Sequence, residues 1–278
     1  MSATRDLQAA EPASRWTPSI GRLAWRRFSL ELRTFRRVHE EVVFTFALPI
    51  LLLVLFASIF GGEIDDTGVD VSQYFVAGMI VSAGLTVGFQ SLSAQLALER
   101  HDGSLKRLAL TPMPAAAYML GKVGMVAAIV AIQTVVMFTV GVAAFGVRLP
   151  SPSGLLLLTV VATLNLVIWT LLGLAFSRLI RTPRAGAAVT LPPALVLQFI
   201  SGVYLVLDEI PAGLRTIASI FPLRWAALGA RQALLPDSFA SAEPGGSWQT
   251  PTMLAVLMAW ACVSALLAAI SFRWQAEA

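Results

Sequence analysis

Six stretches of this chain, 42–60, 73–98, 123–147, 149–177, 185–207 and 244–272, contain no Asp, Glu, Lys or Arg. A helix that crosses a hydrocarbon core of about 30 Å needs about 20 residues, and each stretch comes close to that or exceeds it. The alternative is a set of buried helices in a soluble protein. A soluble core of 278 residues has no use for a chain that is 57% hydrophobic and 13% charged, with mean hydropathy +0.76. The pattern therefore predicts an all-α integral membrane protein. Trimmed by Pro, Gly and Ser signals, the six transmembrane helices fall near 42–60, 74–98, 123–146, 154–176, 189–206 and 252–271. Cys262 stands alone in the last run, so no disulfide framework is expected.

Charge orients the spans. Sixteen of the twenty Lys and Arg residues fall in the N-terminal segment, in the connections after spans 2 and 4, and in the C-terminal tail. The other side holds Arg148, Arg215, Arg224 and Arg231, together with a hairpin carrying Glu63, Asp65, Asp66 and Asp70 and no base. Both termini are thus expected in the cytoplasm. The first 41 residues are polar and Arg-rich with no apolar core at the usual distance, unlike a signal peptide. We divide the chain into a flexible cytoplasmic N-terminus (1–18), an amphipathic interfacial helix (19–41) and a six-helix membrane domain (42–278).

On a helical wheel, residues 20–42 place Ile20, Leu23, Ala24, Phe28, Leu30, Leu32, Phe35 and Val38 on one broad face. Arg22, Arg26, Arg33, Arg36 and Arg37 crowd an opposite arc. Such a helix lies in the membrane interface, arginines toward anionic headgroups; a solvated basic tail is the plainer reading. Arg27 and Glu31 interrupt the apolar face. Pro192-Pro193 is read as a helix opening, where proline is tolerated. The connection 207–251 contains apolar pieces too short to cross, which fit an outer re-entrant helical pair before span 6.

The spans hold no Asp, Glu, Lys, Arg or His, and His39 and His101 both lie in surface segments. Ion-coupled transport and intramembrane proteolysis lack their usual residues. No Walker-type phosphate loop occurs either, so the chain cannot use ATP by itself. Polar span residues such as Gln90, Asn165 and Gln198 are either glue between helices or candidates to line a substrate path. Gly84-x-x-x-Gly88 is a close-packing signal.

Between spans 2 and 3 lies a charged island at 99–112. By composition it either sets topology or meets whatever drives the protein. Its pattern, Glu99-Arg100-x-x-Gly103-Ser104-Leu105-x-Arg107-Leu108-x-x-Thr111-Pro112 and then Leu120-Gly121-Lys122, resembles the signature region of ABC-2 type transporter permeases. The segment Ile210-Pro211, Phe221-Pro222-Leu223 and Arg231 is similar to that family's outer helical pair. Within the family the chain looks most like the daunorubicin-resistance (DrrB-like) drug-exporter branch. Polysaccharide and teichoic-acid export permeases share the plan.

The resemblance implies a dimer, with itself or a related permease, docked on two ATPase subunits that hold ATP and Mg2+. It implies no cofactor, metal or nucleic acid on this chain, no enzyme activity of its own, and a bacterial plasma membrane as its place. It also implies a coupling helix. There Glu99 and Arg100 form the membrane hinge, Gly103 allows the turn, Leu105 and Leu108 are apolar anchors, Lys106 and Arg107 pair charge, and Pro112 helps end the helix. The expected function is export of a drug-like or lipid-like amphiphile. A non-transporting membrane scaffold is the alternative from another class, and a lipid-modifying enzyme lacks the residues it would need.

Overall fold

The computed structural model describes residues 19–64, 67–182 and 185–271. Helix α1 covers Ile20–Arg37 and α2 covers His39–Ile59, with only Val38 between them. Helix α3 runs Val71–His101 and widens into π geometry at Gly84–Ser91. The short α4 is Ser104–Ala109, followed by α5, Ala115–Phe145, and α6, Pro152–Phe176. Then come α7, Ala185–Ile200, α8, Ala212–Ala218, α9, Pro222–Leu234, and α10, Thr250–Ser271. Helices α2, α3, α5, α6 and α10 are long and apolar enough to cross a membrane, and α7 is a shorter apolar helix. Among the described residues there is no β-strand, only one isolated bridge between Glu63 and Asp70. This is an all-α membrane protein.

Local chemistry sets the ends. Asp70 caps α3 by accepting from the Ser72 N–H at 2.7 Å, and Ser151 caps α6 by accepting from the Gly154 N–H at 3.1 Å. Two boundaries differ from the sequence expectation. Helix α5 begins at Ala115, not near 123, because Pro114 supplies the N-cap and Lys122 is carried inside the helix. Helix α7 holds Pro192 and Pro193 in its interior rather than at its start, and stops at Ile200. The two prolines remove two ladder donors, which membrane helices tolerate when neighbours cover the gap. The stop has its own cause: Gly202 takes φ +74° and the Val203 N–H bonds back to the Gln198 carbonyl at 3.2 Å. At about 24 Å, α7 falls short of a full crossing. The unwound residues after it, Ser201 to Tyr204, are buried in protein, where non-helical backbone is tolerated.

Helix α3 is the buried centre, and α2 lies at the rim with Phe44, Leu51 and Leu55 exposed. The π segment of α3 packs on α6 through glycines on both sides. A Cβ on Gly173 would stand 2.1 Å from the Gly88 carbonyl oxygen, and one on Gly84 would stand 2.6 Å from Asn165 Nδ2. Ser93 Oγ reaches across this contact to the Gly173 carbonyl at 2.9 Å.

The short pair α8 and α9 is present, and α9 is almost wholly buried against α3, α6 and α10. Its Arg231 is fully buried. Nε donates to Glu243 Oε1 at 2.5 Å and Nη1 to the Gly202 carbonyl at 3.3 Å, and the guanidinium lies 4.9 Å from the Tyr74 ring centre. Burial alone would lower the Arg231 pKa; Glu243 and Tyr74 outweigh it and the group stays charged. Arg224, about two turns earlier on the same helix, is pushed down to about 10, first by burial and then by Arg231.

Gly173→Ala overpacks the α3–α6 contact and is expected to cost about 1–3 kcal/mol. It should lower the melting temperature of the detergent-solubilised protein. Gly213→Ala, where a Cβ meets nothing within 4 Å, should leave it at or above the parent value.

Candidate functional site

The last turn of α3 carries Glu99, and three polar groups from two other helices, Arg27 of α1 and Tyr118 and Lys122 of α5, converge on it and its neighbour Glu31. Glu99 Oε1 accepts from Arg27 Nη2 at 2.9 Å and from Lys122 Nζ at 2.7 Å; Oε2 accepts from the Tyr118 hydroxyl at 2.5 Å. Glu31, one turn along α1 from Arg27, pairs with Arg27 and, at 2.9 Å, with Lys122. Arg27 and Lys122 also lie over the Tyr118 ring, 4.8 and 5.9 Å from its centre. Two cations and two carboxylates balance in a place where the Lys122 side chain is 2% exposed. The two residues that interrupt the apolar face of α1 are therefore its contribution to this cluster. Gly121 makes the approach possible: a Cβ there would meet Arg27 Cγ at 2.6 Å.

Arg100, next in the chain, turns the other way. Its Nη1 donates to the Ser177 carbonyl at 2.8 Å and Nη2 to Ser177 Oγ at 3.1 Å, which ties the end of α3 to the end of α6. Gly103 then takes φ +75° as the N-cap of α4. Asp102 accepts from the Ser104 N–H at 2.8 Å. Hydrogen bonding by Ser104, side chain first and backbone second, holds the Asp102 carboxyl below its usual range.

On α4 itself Leu105 is buried with Phe35, Leu96 and Tyr118, and Leu108 is half-buried against that cluster. Leu105 thus serves this chain's own core rather than facing outward. Lys106, Arg107 and Pro112 are exposed, and the outward apolar side chain is Leu110, 89% exposed. A groove of about 380 Å3 runs between α1 and α4, lined by Arg27, Glu31, Glu99, Arg107, Leu108 and Thr111 among others.

Residues 20–235, from the start of α1 to the residue after α9, match the ABC-2 type transporter family. The chain belongs to this family. ABC-2 permeases are membrane components of transporters and are not themselves ATPases. A search of curated proteins returned no match.

The other candidate residues of this ABC-2 chain fall in different settings. Arg22, Arg26, Arg33, Arg36 and Arg37 are all exposed along α1. Asn165 and Gln198 are buried and occupied: Asn165 donates to the Val81 carbonyl at 2.7 Å and accepts from Trp169 Nε1 at 2.9 Å. Gln198 donates to the Ala194 carbonyl at 3.2 Å and accepts from the Tyr204 hydroxyl at 2.5 Å. Gln90, in the π segment, differs. Its Nε2 has no partner, and it lines a cavity of about 370 Å3 with Glu41, Gln95, Thr190 and Leu191. Lys122, Tyr118 and Arg27 were not among the candidates. Their signal was a pair of charges four residues apart on an otherwise apolar face.

Lys122→Met leaves Glu31 and Glu99 facing each other with one cation fewer. Removing one partner of a buried ion pair costs about 3–5 kcal/mol, so the melting temperature should fall sharply. The double variant Lys122→Met, Glu31→Leu keeps the Arg27–Glu99 pair and should recover most of the loss.

Proposed function

We propose that this chain is the membrane-spanning permease of an ATP-driven exporter. Its cargo is a drug-like or lipid-like amphiphile, and its energy comes from a separate ATPase that holds ATP and Mg2+. The end bearing α1 and α4 faces the cytoplasm, as do both termini, in a bacterial plasma membrane. The positive-inside distribution of Lys and Arg supports this orientation. Two ATPase subunits dock on a pair of permeases, this chain with itself or with a relative. Within the family, we assign the chain to the daunorubicin-resistance (DrrB-like) branch.

The observation that carries the reading is how α4 is mounted. A short exposed tip, presenting Lys106, Arg107 and Leu110, hangs from α3 by a glycine turn. Its base is bound to α1 and α5 through Glu99 and to the end of α6 through Arg100. A push on α4 therefore cannot dissipate in a flexible loop and is delivered to four helices at once. Leu108 faces the groove beside α1 and contributes to docking, whereas Leu105 anchors the tip to its own domain. Pro112 and Thr111 close the element. The exposed arginines of α1, with Trp25 at 66% exposure, suit a helix lying in the anionic interface.

For the cargo, Gln90 is the best placed of the polar span residues. It sits in a largely apolar cavity beside α2 and α7 with an unused amide donor. Such a cavity receives an amphiphile's apolar part and one polar group. Asn165 ties α6 to α3 instead, and Gln198 bonds within α7 and to Tyr204 just after it.

The test is capture and coupling. A tagged chain drawn from native membranes should bring down a P-loop ATPase. Changing Lys106→Glu and Leu110→Glu together should reduce stimulated ATP hydrolysis at least tenfold, about 1.4 kcal/mol or more. The melting temperature should not move, because both side chains are exposed. Repeated failure of the parent chain to capture or stimulate an ATPase overturns the reading.

A further inference from the structure

At the end of the bundle away from Glu99, a cavity of about 160 Å3 lies where α2 stops, α3 starts and the chain leaves α7. Phe60, Phe75 and Tyr204 form aromatic walls, with Ile64, Val71 and Val206 between them, and Glu63 and Glu209 stand at the rim. Phe75 and Tyr204 are buried, while Phe60 and both glutamates are exposed at the mouth. The ring positions are fixed by their neighbours. Phe60 and Phe75 lie 6.4 Å apart edge to face. Phe56 stands behind, 5.5 Å from Phe75 and 5.6 Å from Tyr204. The Tyr204 hydroxyl is held by Gln198 Oε1 at 2.5 Å.

The electrostatics of this cavity have one sign. Among the described residues, no Lys, Arg or His lines it. The nearby Arg215 is already taken by Asp208, at 2.6 Å. Glu63 accepts from the Gly68 N–H and so is held in place by its own hairpin. Glu209 makes no ion pair among the described residues. Aromatic faces present negative charge to a cation, and two carboxylates add to it. A bare metal ion is poorly served, since no group of three or more His, Cys, Asp or Glu side chains able to hold one occurs among the described residues. A strongly hydrated ammonium would also lose water without enough acceptors in return. An alkylated ammonium, weakly hydrated and bulky enough to touch three rings, matches both the charge and the walls.

We propose that this cavity binds the alkylated ammonium head of an amphiphile. Its placement on the side where cargo leaves rests on the export reading; the binding itself does not.

The protein, in nanodiscs of phosphatidylglycerol and without any ATPase, is titrated with choline and with 3,3-dimethyl-1-butanol, its uncharged carbon analogue, by saturation-transfer NMR. Choline should bind saturably and the analogue at least tenfold more weakly. Phe60→Ala and Glu209→Gln, both at the exposed rim, should each weaken choline about three- to tenfold with melting temperature unchanged. Equal binding of the two probes overturns the proposal. So does the absence of saturable choline binding, or choline affinity untouched in the double variant Glu63→Gln, Glu209→Gln. Intact choline binding by a chain that never captures an ATPase would sink the export reading and leave this site standing.

Discussion

A lysine whose side chain is 2% exposed on a membrane helix dictates much of the arrangement around it. An unpaired ion in a low-dielectric setting costs several kcal/mol, and a pair recovers that only with good geometry and further hydrogen bonds. Lys122 obtains both from Glu31 and Glu99, which come from different helices. Neither carboxylate can leave without stranding a charge. Helix α1 is thereby pinned to α3 and α5, although its exposed face is strongly basic. The same pairing explains why α5 runs through Lys122 to Ala115 instead of beginning after it. Once the charge is neutralised, the Ala-rich segment before it is free to be helix.

A related device works at the other end of α3. Tyr74 lies under Arg231, whose guanidinium also holds Glu243 and the carbonyl of Gly202. Three groups that would otherwise be costly to bury satisfy one another there: a charge from α9, a charge from the connection before α10, and a carbonyl released by the unwinding of α7. In both clusters an aromatic hydroxyl residue supplies a ring face to a cation. The Tyr74 hydroxyl goes further and accepts from the Leu207 N–H at 3.0 Å, covering a backbone donor that the broken helix leaves open.

What the sequence made legible follows from what the membrane demands. Lipid forbids unpaired charge over long stretches, so six apolar helices could be read from uncharged runs alone. The runs put all six across the membrane, whereas only five of the described helices are long enough to cross. The close-packing glycines were legible for a similar reason, since Gly84 and Gly88 have few other uses in an apolar helix. The misplaced boundaries came from treating a charge or a proline as a stop. Lys122 sits inside a helix because its ion-pair partners remove the penalty that sequence rules assume, and Pro192 sits inside one although its side chain is exposed. In the charged island, the turn at Gly103 and the exposed basic residues were readable from local chemistry. The inward direction of Leu105 was not, because one turn of helix can face either way until α1 and α5 are in place. Arg27 and Glu31 were visible only as an irregularity; their meaning lies in residues about seventy and ninety positions away.

Helix α3 is clamped at both ends and irregular in the middle. Glu99 fixes one end and Tyr74 the other, while Gly84–Ser91 adopts the wider π geometry. That segment meets α6 in two ways: Gly84, Gly88 and Gly173 bring the backbones close, and the Phe89 ring packs on Trp169 at 5.9 Å and on Phe176 at 4.9 Å. Thr86 in this segment bonds locally, its Oγ1 donating to the Ser82 and Ala83 carbonyls at 3.2 Å. Gln90 lies in that stretch, beside the cavity between α2 and α7. Helical segments of π geometry occur frequently at functional sites, and this one borders an apolar opening between α2 and α7.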